Sequence, residues 1–205
     1  MSDNPIFSSK FYNSLAKLDN PILGFFGGTF DPPHLGHLIL ADYVRELFHL
    51  DFVLFVVASD PWQKTSTKKI SEFDDRLNLV ELATAKNDAF IVSDIEKQLS
   101  GQSSTLATLT KLNEEFPKAT IRPIVGADTA NGFDSWHEAE ELKKIANFIV
   151  TSRAGVQPEI PSGWKYDFVE IPNIEISSSD IRERIVEGKS IKYLVPASVF
   201  EYLTD

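Results

Sequence analysis

The feature that most constrains this chain is a run of seven consecutive apolar residues at positions 52–58. A strand that is apolar at every position has to be covered on both of its faces, as happens at the centre of a parallel sheet. Shorter apolar runs recur along the sequence and alternate with segments of helical periodicity. This alternation predicts a single α/β domain in which a parallel sheet carries helices on both faces, with further helices at the C-terminus.

The predicted elements follow one another without an apparent linker between domains. Strands are predicted over residues 22–26, 52–58, 89–92, 120–125, 148–150 and 166–171. Helices are predicted over residues 34–48, 73–86, 104–116, 136–144, 178–187 and 196–203. We interpret residues 1–20 as an N-terminal extension that has a packing role or none, and residues 21–205 as the domain itself.

The charge of the chain excludes some classes of function. Thirty acidic against twenty basic residues give a formal net charge of -10, which argues against a general nucleic-acid-binding protein. A few convergent cations can still form a positive site for a small anionic substrate. The absence of cysteine excludes disulfides, thiolate zinc sites and cysteine nucleophiles. The sequence shows no signal peptide and no apolar run of about 18 residues, so we expect a cytoplasmic protein without a membrane partner.

Residues 27–37 read G-G-T-F-D-P-P-H-L-G-H and follow the first predicted strand directly. Gly27 and Gly28 allow a sharp turn and a close approach of the backbone to a ligand, because no Cβ is present. His34 and His37 are three residues apart at the start of a helix, so they share one face near its N-terminus. That end offers unpaired N–H groups and partial positive charge, and imidazole donors there suit charge that develops on phosphoryl oxygens. A lone histidine is commonly a packing residue, but this combination favours a nucleotide site.

A second polar segment reads I-S-S-S-D-I-R over residues 176–182. One interpretation is structural, because a serine at such a position can cap the following helix. The other interpretation involves a ligand, since an arginine in the first turn opposes the helix dipole unless an anion such as a polyphosphate lies there. In a parallel sheet, the turn after the first strand, the loop after residue 58 and the turn at Gly126 all open on the edge where ligands bind.

Together, these two segments resemble the H-x-G-H and I-S-S-T-x-I-R signatures of the nucleotidyltransferase superfamily. The chain is more narrowly similar to the nicotinate (nicotinamide) mononucleotide adenylyltransferases of NAD biosynthesis. Supporting segments are P-W-Q-K at 61–64 with Arg76 downstream, V-G-A-D at 125–128, S-R-A-G at 152–155 and Y-L-V-P-A-S-V at 193–199. The resemblance implies a Rossmann-like fold and an enzyme that transfers AMP from ATP to nicotinate mononucleotide, giving deamido-NAD and pyrophosphate.

The resemblance also implies roles for individual residues. The implied catalytic residues, which would stabilise charge on the phosphoryl groups, are His34, His37 and Arg182. The implied ATP-binding residues are Gly27, Thr29, Phe30, His34, His37, Ser178, Ser179 and Arg182. The implied residues for the pyridine nucleotide are Lys64, Thr105, Asp128, Trp136 and Arg153. The implied partners are ATP, with Mg²⁺ as its companion cation, and a pyridine mononucleotide, without a metal site on the protein.

Several of these residues also have plain structural interpretations. Trp136 on a predicted helix is commonly a core residue, and Lys64 lies in a polar run where a lysine is usually solvated. Asp128 follows a glycine and can cap the next helix.

The segment G-Q-S-S-T-L-A-T-L at residues 101–109 departs from the family pattern G-x-S-Y-T-x-D-T-L. Ser104 replaces the aromatic residue and Ala107 replaces the acid, while Thr105 keeps its place and can offer a backbone contact to a carboxylate. The sequence therefore leaves the choice between nicotinate and nicotinamide mononucleotide open.

Three other functions share part of this pattern. A pantetheine-phosphate adenylyltransferase is the nearest alternative, although that enzyme is usually shorter. A class I aminoacyl-tRNA synthetase shares H-x-G-H, but this acidic chain lacks room for tRNA-binding parts. A non-catalytic nucleotide sensor would be favoured by loss of either histidine or of Arg182, and all three are present. The oligomeric state stays open, a homo-oligomer included.

Overall fold

The computed structural model describes residues 6–59, 70–99, 104–153 and 155–204. Within these segments the strands are β1 Ile22–Gly28, β2 Phe52–Val57, β3 Phe90–Ser93, β4 Thr120–Gly126, β5 Phe148–Arg153 and β6 Tyr166–Ile171. The α-helices are α1 Ser9–Leu15, α2 Leu35–Leu47, α3 Phe73–Thr84, α4 Ile95–Gln98, α5 Thr105–Glu115, α6 Ala127–Ala130, α7 Ala139–Ile145, α8 Ser178–Val186 and α9 Ala197–Thr204. A short 3₁₀ helix, Phe133–Ser135, precedes α7.

The strands form one parallel sheet in the order β3-β2-β1-β4-β5-β6. This order reverses between β1 and β4, and such sheets bind ligands at the carboxyl ends of the strands beside the reversal. Pairing between β1 and β4 stops at Phe25 and Pro123, before the two strands end at Gly28 and Gly126. Beyond this point β1 pairs only with β2 and β4 only with β5, so the two carboxyl ends separate where the sequence predicts the ligand.

Apolar side chains cover the sheet on both faces, as the unbroken apolar run of β2 requires. Leu54 and Val56 of β2 belong to a cluster that includes residues of α5 and α7. Val53, Phe55 and Val57 belong to a second cluster on the other face, with residues of α2 and α3. A third cluster joins α3 to α8 and α9, and it fixes the second polar segment beside the sheet. The predicted α/β fold is confirmed.

The helix α1 packs against the end of the sheet opposite the crevice. Phe11 is 2% exposed, and its ring lies 5.1 Å from that of Phe52 at the start of β2. Tyr12 donates a hydrogen bond to Glu115 at 2.6 Å, and burial together with this carboxylate raises the pKa of the phenol. Side chains of the N-terminal extension therefore contribute to the core of the domain.

The helix predicted over residues 136–144 is wrong at its start. It begins at Ala139, because Glu138 has a left-handed backbone with φ 57° and Trp136 is extended after the 3₁₀ turn. Trp136 consequently lies in a turn rather than on a helix. The sequence pattern also misses α4 and α6, which have four residues each and are too short to show a period.

Candidate active site

The turn that follows β1 is built around the ring of Phe30. This residue has a left-handed backbone with φ 50°, and its side chain is 2% exposed. Its ring centroid lies 5.6 Å from that of Phe26, 5.7 Å from that of Phe55 and 5.1 Å from that of His37. A Cβ on Gly28 would lie 2.8 Å from the Phe30 ring, so packing alone already requires glycine there. The ring ties the turn to the helix that carries the histidines.

Two charged side chains are buried behind this turn. Asp31 is 4% exposed and accepts a hydrogen bond from the N–H of Ser71 at 3.1 Å. Arg76 is 2% exposed and donates to the carbonyls of Thr29 and Ser71 at 2.9 and 3.0 Å. Burial lowers the pKa of Arg76, and the nearby charge of Asp31 opposes this effect. The sequence indicates the burial of Arg76 only through its position, since residue 76 lies on the same helix face as Phe73, where an apolar residue is expected.

His34 and His37 lie together at the start of α2. His34 is the N-cap, and the two rings stack with centroids 3.7 Å apart and an interplanar angle of 26°. The backbone N–H of His34 donates to Nδ1 of His37 at 3.1 Å. Because Nδ1 accepts this bond, a neutral His37 ring carries its proton on Nε2, which can act as a donor. The structure thus brings the predicted pair onto one face.

The ring of His34 is buried, with 7% of the residue exposed, and its Nδ1 bonds to none of the described residues. Burial lowers the pKa of His34 to about 4, so the ring is neutral at pH 7. Nδ1 is enclosed by the protein, so a ligand would have to engage this ring through Nε2. A Cβ on Gly36 would approach Nδ1 and Cε1 of His34 to 3.0 and 3.1 Å. The glycine of H-x-G-H therefore makes room for the first histidine.

The serines of residues 176–182 have separate roles. Ser177 is the N-cap of α8, and its hydroxyl accepts a hydrogen bond from the N–H of Asp180 at 3.1 Å. Ser178 donates instead to the carbonyl of Pro32 at 2.8 Å. Capping, the structural interpretation of this segment, is thus confirmed for Ser177, and Ser178 contacts the turn after β1.

Arg182 also reaches the turn after β1. Its Nη1 donates to the carbonyl of Asp31, and its Nη2 donates to the hydroxyl of Ser179 at 3.3 Å. The same Nη1 lies 3.9 Å from the carboxylate of Asp31. These contacts join two motifs that are 151 residues apart in the chain and place a guanidinium beside the turn after β1.

A cleft of about 160 Å³ opens next to the histidine pair. Its lining includes His34, His37, Arg153 and the apolar side chains of Ile174 and Ile176. Arg153 ends β5 and is exposed, with Nη1 3.9 Å from the carboxylate of Glu175. Apolar walls with two imidazoles and one guanidinium suit a molecule that carries both a flat ring and negative charge.

Trp136 lies apart from this cleft, in the turn between the 3₁₀ helix and α7. The residue is half-buried, and its ring is edge-on to Phe133 at 4.9 Å and to Phe148 at 6.0 Å. One edge of the indole thus packs on the core, as its structural interpretation expects. The remaining surface is accessible to a ligand.

Asp128 and Thr105, which are also predicted to bind the pyridine nucleotide, do not line the cleft either. Asp128 is exposed in the first turn of α6, directly after β4. Thr105 is the first residue of α5, whose N-cap Ser104 accepts a weak hydrogen bond from Ala107 at 3.5 Å. Lys64 lies outside the described residues. The structure places Asp128 and Thr105 at the crevice edge of the sheet without bringing them into contact with the histidines.

Glu96 is a further buried charge that the sequence did not indicate. The residue is 6% exposed and accepts hydrogen bonds from the N–H of Ser59 and the hydroxyl of Thr108, both at 3.2 Å. It joins the carboxyl end of β2 to α5. An acid in a four-residue helix has no periodic context, so the pattern could not mark it.

The described segments contain neither a membrane-spanning helix nor a metal-binding cluster. No helix there is both long and apolar enough to cross a bilayer. No group of three or more His, Asp or Glu side chains there is arranged to hold a metal ion.

Comparison with known proteins gives consistent results. The cytidylyltransferase-like family model matches residues 25–184. A protein of Exiguobacterium sibiricum, named probable nicotinate-nucleotide adenylyltransferase, is 38% identical over 183 residues, which cover 89% of this chain and 96% of that protein. A protein of Corynebacterium kroppenstedtii with the same name is 39% identical over 187 residues, which cover 89% and 88%.

Among solved structures, the Plasmodium falciparum nicotinic acid mononucleotide adenylyltransferase complexed with NaAD has a TM-score of 0.75 with this chain. The match covers 89% of this chain and 94% of that one, at 23% sequence identity. At this identity the likeness concerns the fold, and it agrees with the Rossmann-like sheet that the resemblance implied.

Proposed function

The chain belongs to the cytidylyltransferase-like family, and we propose that it catalyses the reaction for which its relatives are named, as a nicotinate-nucleotide adenylyltransferase. It transfers AMP from ATP to nicotinate mononucleotide and yields deamido-NAD and pyrophosphate in NAD biosynthesis. The observation that carries this proposal is the docking of Ser178 and Arg182 on the backbone of Pro32 and Asp31. This contact brings polar groups of both motifs together at the turn after β1, and it supports our assignment of phosphate binding to that turn.

The reaction does not require a general base. The acceptor's 5′-phosphate is already an anion, and one of its oxygens attacks the α-phosphorus of ATP. As that bond forms, the bond from the α-phosphorus to the pyrophosphate oxygen breaks, and the electron pair leaves with pyrophosphate. The protein has to align two polyanions and stabilise the charge that develops between them.

We assign this stabilisation to the histidine pair and to α8. Nε2 of His37 donates to an α-phosphate oxygen, since its Nδ1 already accepts from the backbone. His34 acts as a neutral donor, because burial keeps its pKa near 4 and leaves it uncharged at neutral pH. Arg182 offsets the charge of the leaving pyrophosphate, and the hydroxyl of Ser179 beside it can donate to a phosphate oxygen. Ser178 holds the start of α8 in place through its bond to the carbonyl of Pro32. Proton transfer is not required of any of them.

Weaker contacts support the proposed binding of the acceptor, nicotinate mononucleotide. Arg153 shares the cleft with the histidines and can bind an anionic group of either substrate. Trp136 offers a half-exposed ring for stacking on the pyridine, and Asp128 and Thr105 lie at the crevice edge of the sheet. Mg²⁺ enters with ATP as part of the substrate and offsets the charge of its phosphates.

The test is an assay of pyrophosphate release with ATP and, in turn, nicotinate mononucleotide, nicotinamide mononucleotide and pantetheine phosphate. We expect turnover with the pyridine nucleotides and preference for nicotinate, with deamido-NAD identified by mass. ATP binding without turnover on either pyridine nucleotide would contradict the proposal and support a sensor. A cytoplasmic location and a homo-oligomeric state remain predictions, to be checked by fractionation and light scattering.

A further inference from the structure

Arg76 places a buried guanidinium directly behind the turn after β1. It forks between two backbone carbonyls, since Nη1 donates to Thr29 at 2.9 Å and Nε donates to Ser71 at 3.0 Å. The carboxylates whose charges act on it are those of Asp31, Glu96 and Glu72, and together they offset the positive charge of the buried guanidinium. A side chain that only filled space at this position of α3 would be apolar, because its neighbours on the helix face are core residues.

The bond to Thr29 fixes the orientation of one peptide plane. The peptide bond between Thr29 and Phe30 is trans. In a trans peptide the carbonyl and the N–H point in opposite directions. Arg76 holds the carbonyl of Thr29, and the N–H of Phe30 therefore points away from the guanidinium. Within the described segments, no acceptor is bonded to that N–H.

The conformation of Phe30 needs such support. Its φ of 50° is in the left-handed region, which is unfavourable for a side chain larger than glycine. The packed ring holds one side of the residue and the Arg76 bond holds the peptide before it. Without that bond, the Thr29–Phe30 peptide could rotate and turn a carbonyl toward the phosphates, where it would repel them.

We propose that Arg76 is a positioning residue, which sets the Thr29–Phe30 peptide so that the Phe30 N–H is presented to the triphosphate of ATP. The inference rests on the proposed function, because it assumes that ATP binds at this turn. Arg76 acts through the peptide, without touching the nucleotide. Substitution should weaken ATP binding more than acceptor binding, since the acceptor does not depend on this N–H.

The first experiment measures ATP binding by calorimetry, without acceptor so that no turnover occurs. Arg76→Lys keeps the charge, but a single ammonium cannot reproduce the fork, and we expect the Kd for ATP to rise about tenfold or more. The matched control is Arg122→Lys. Arg122 also forks between two backbone carbonyls, those of Asn147 and Phe148 at the start of β5, and it pairs in addition with Asp167 at 2.6 Å. A similar loss of thermal stability in both variants, with the ATP Kd raised in Arg76→Lys only, supports the proposal.

An equal ATP Kd in wild type and folded Arg76→Lys would overturn it. So would a loss of ATP and nicotinate mononucleotide affinity by the same factor, because that pattern indicates general disorder rather than a peptide set for ATP.

The second experiment observes the peptide itself and needs no variant. Thr29–Phe30 is the one Thr-Phe pair in the sequence, and no threonine directly precedes an arginine. Labelling threonine with carbonyl ¹³C, and phenylalanine and arginine with ¹⁵N, therefore gives a single backbone cross-peak in an HNCO spectrum. In the wild type we expect a through-bond coupling from the Arg76 guanidinium to the Thr29 carbonyl, and a shift of the Phe30 amide when ATP is added. An amide that does not respond to saturating ATP would refute the role, even if Arg76→Lys fails to fold.

These outcomes are separable from the proposed function. If the wild type binds ATP and moves this cross-peak but releases no pyrophosphate with nicotinate mononucleotide, the reaction is misassigned and the role of Arg76 stands. If pyrophosphate is released normally while the peptide is unaffected by ATP, the reaction stands and Arg76 is merely structural.

Discussion

The substitution Gly36→Ala tests whether the geometry of the histidine pair controls the reaction. Gly36 is the second residue of α2 and its φ is not positive, so alanine is compatible with the backbone. In a helix without other contacts, the change would raise the free energy of unfolding by up to about 1 kcal/mol. Here the new methyl would meet the ring of His34 at 3.0 Å from Nδ1 and 3.1 Å from Cε1.

The size of the effect follows from these distances. Ordinary contacts of a Cβ begin near 3.4 Å, so the ring of His34 has to move by a few tenths of an ångström. His34 is stacked on His37 at 3.7 Å, so the second ring is displaced as well. Because a misplacement of about 1 Å can cost about 100-fold in rate, we expect kcat to fall by about 5- to 10-fold. The free energy of unfolding should change by less than about 1 kcal/mol, since the helical gain offsets the crowding.

The assay is pyrophosphate release at saturating ATP and nicotinate mononucleotide, together with urea denaturation of the same preparations. A double-mutant cycle with His34→Ala supplies the control, because without the ring the methyl added at position 36 meets nothing at 3.1 Å or less. In that background Gly36→Ala should leave kcat unchanged and increase stability. An equal loss of kcat with and without His34 would refute the reasoning, because the methyl would then act on the nucleotide rather than through His34.

The remaining predictions concern the same site. His37→Ala should lower kcat by about 100-fold or more without unfolding the protein, and near-normal pyrophosphate release from the folded variant would contradict its role as a donor. The pKa of His34 falls from an ordinary 6.5 to about 4 on folding, so stability is full above pH 6.5 and is lost as the pH falls toward 4. From pH 7 to pH 5 the free energy of unfolding should drop by about 2 kcal/mol from this group, a loss that His34→Gln should lack in urea titrations. Ser178→Ala removes the 2.8 Å bond to the carbonyl of Pro32 and should cost about 1 kcal/mol and raise the KM for ATP, whereas an unchanged KM would separate α8 from the phosphates. Ala107→Asp adds an acid to the first turn of α5, where none is present, and should stabilise the helix by about 0.5 kcal/mol. If the carboxylate of the nicotinate ring binds at this turn, the same change should raise the KM for nicotinate mononucleotide relative to that for nicotinamide mononucleotide.

The fold and the centre of the site could be predicted because they depend on local patterns. The apolar run of β2 required cover on both faces, and the glycine-bearing turn after β1 had to open at the carboxyl edge of the sheet. His34 and His37 share a face because their spacing and the helix start determine it. For these features the chain near each residue contains the necessary information.

The rest depends on contacts between distant segments. Nothing near Arg76 in the sequence indicates that its guanidinium bonds to Thr29, 47 residues earlier. Glu96 and Asp31 were missed for the same reason, because an isolated acid usually belongs to a solvated surface. The start of the helix after Trp136 was misplaced because the backbone of Glu138 is left-handed, so the helix cannot begin before it. The helical periodicity of the sequence continues through this position and does not reveal the break.

The contact between Arg182 and Asp31 also sets a time at which the enzyme can first work. The two residues are separated by 151 positions, and ribosomes add about 5 to 20 residues per second. The turn after β1 therefore waits about 8 to 30 s during synthesis before the helix that completes it has been made. Through this interval the nascent chain already has its histidines but cannot hold a pyrophosphate group between the two motifs. A product that stops before residue 176 would never acquire that grip, so turnover itself reports that synthesis has passed this point.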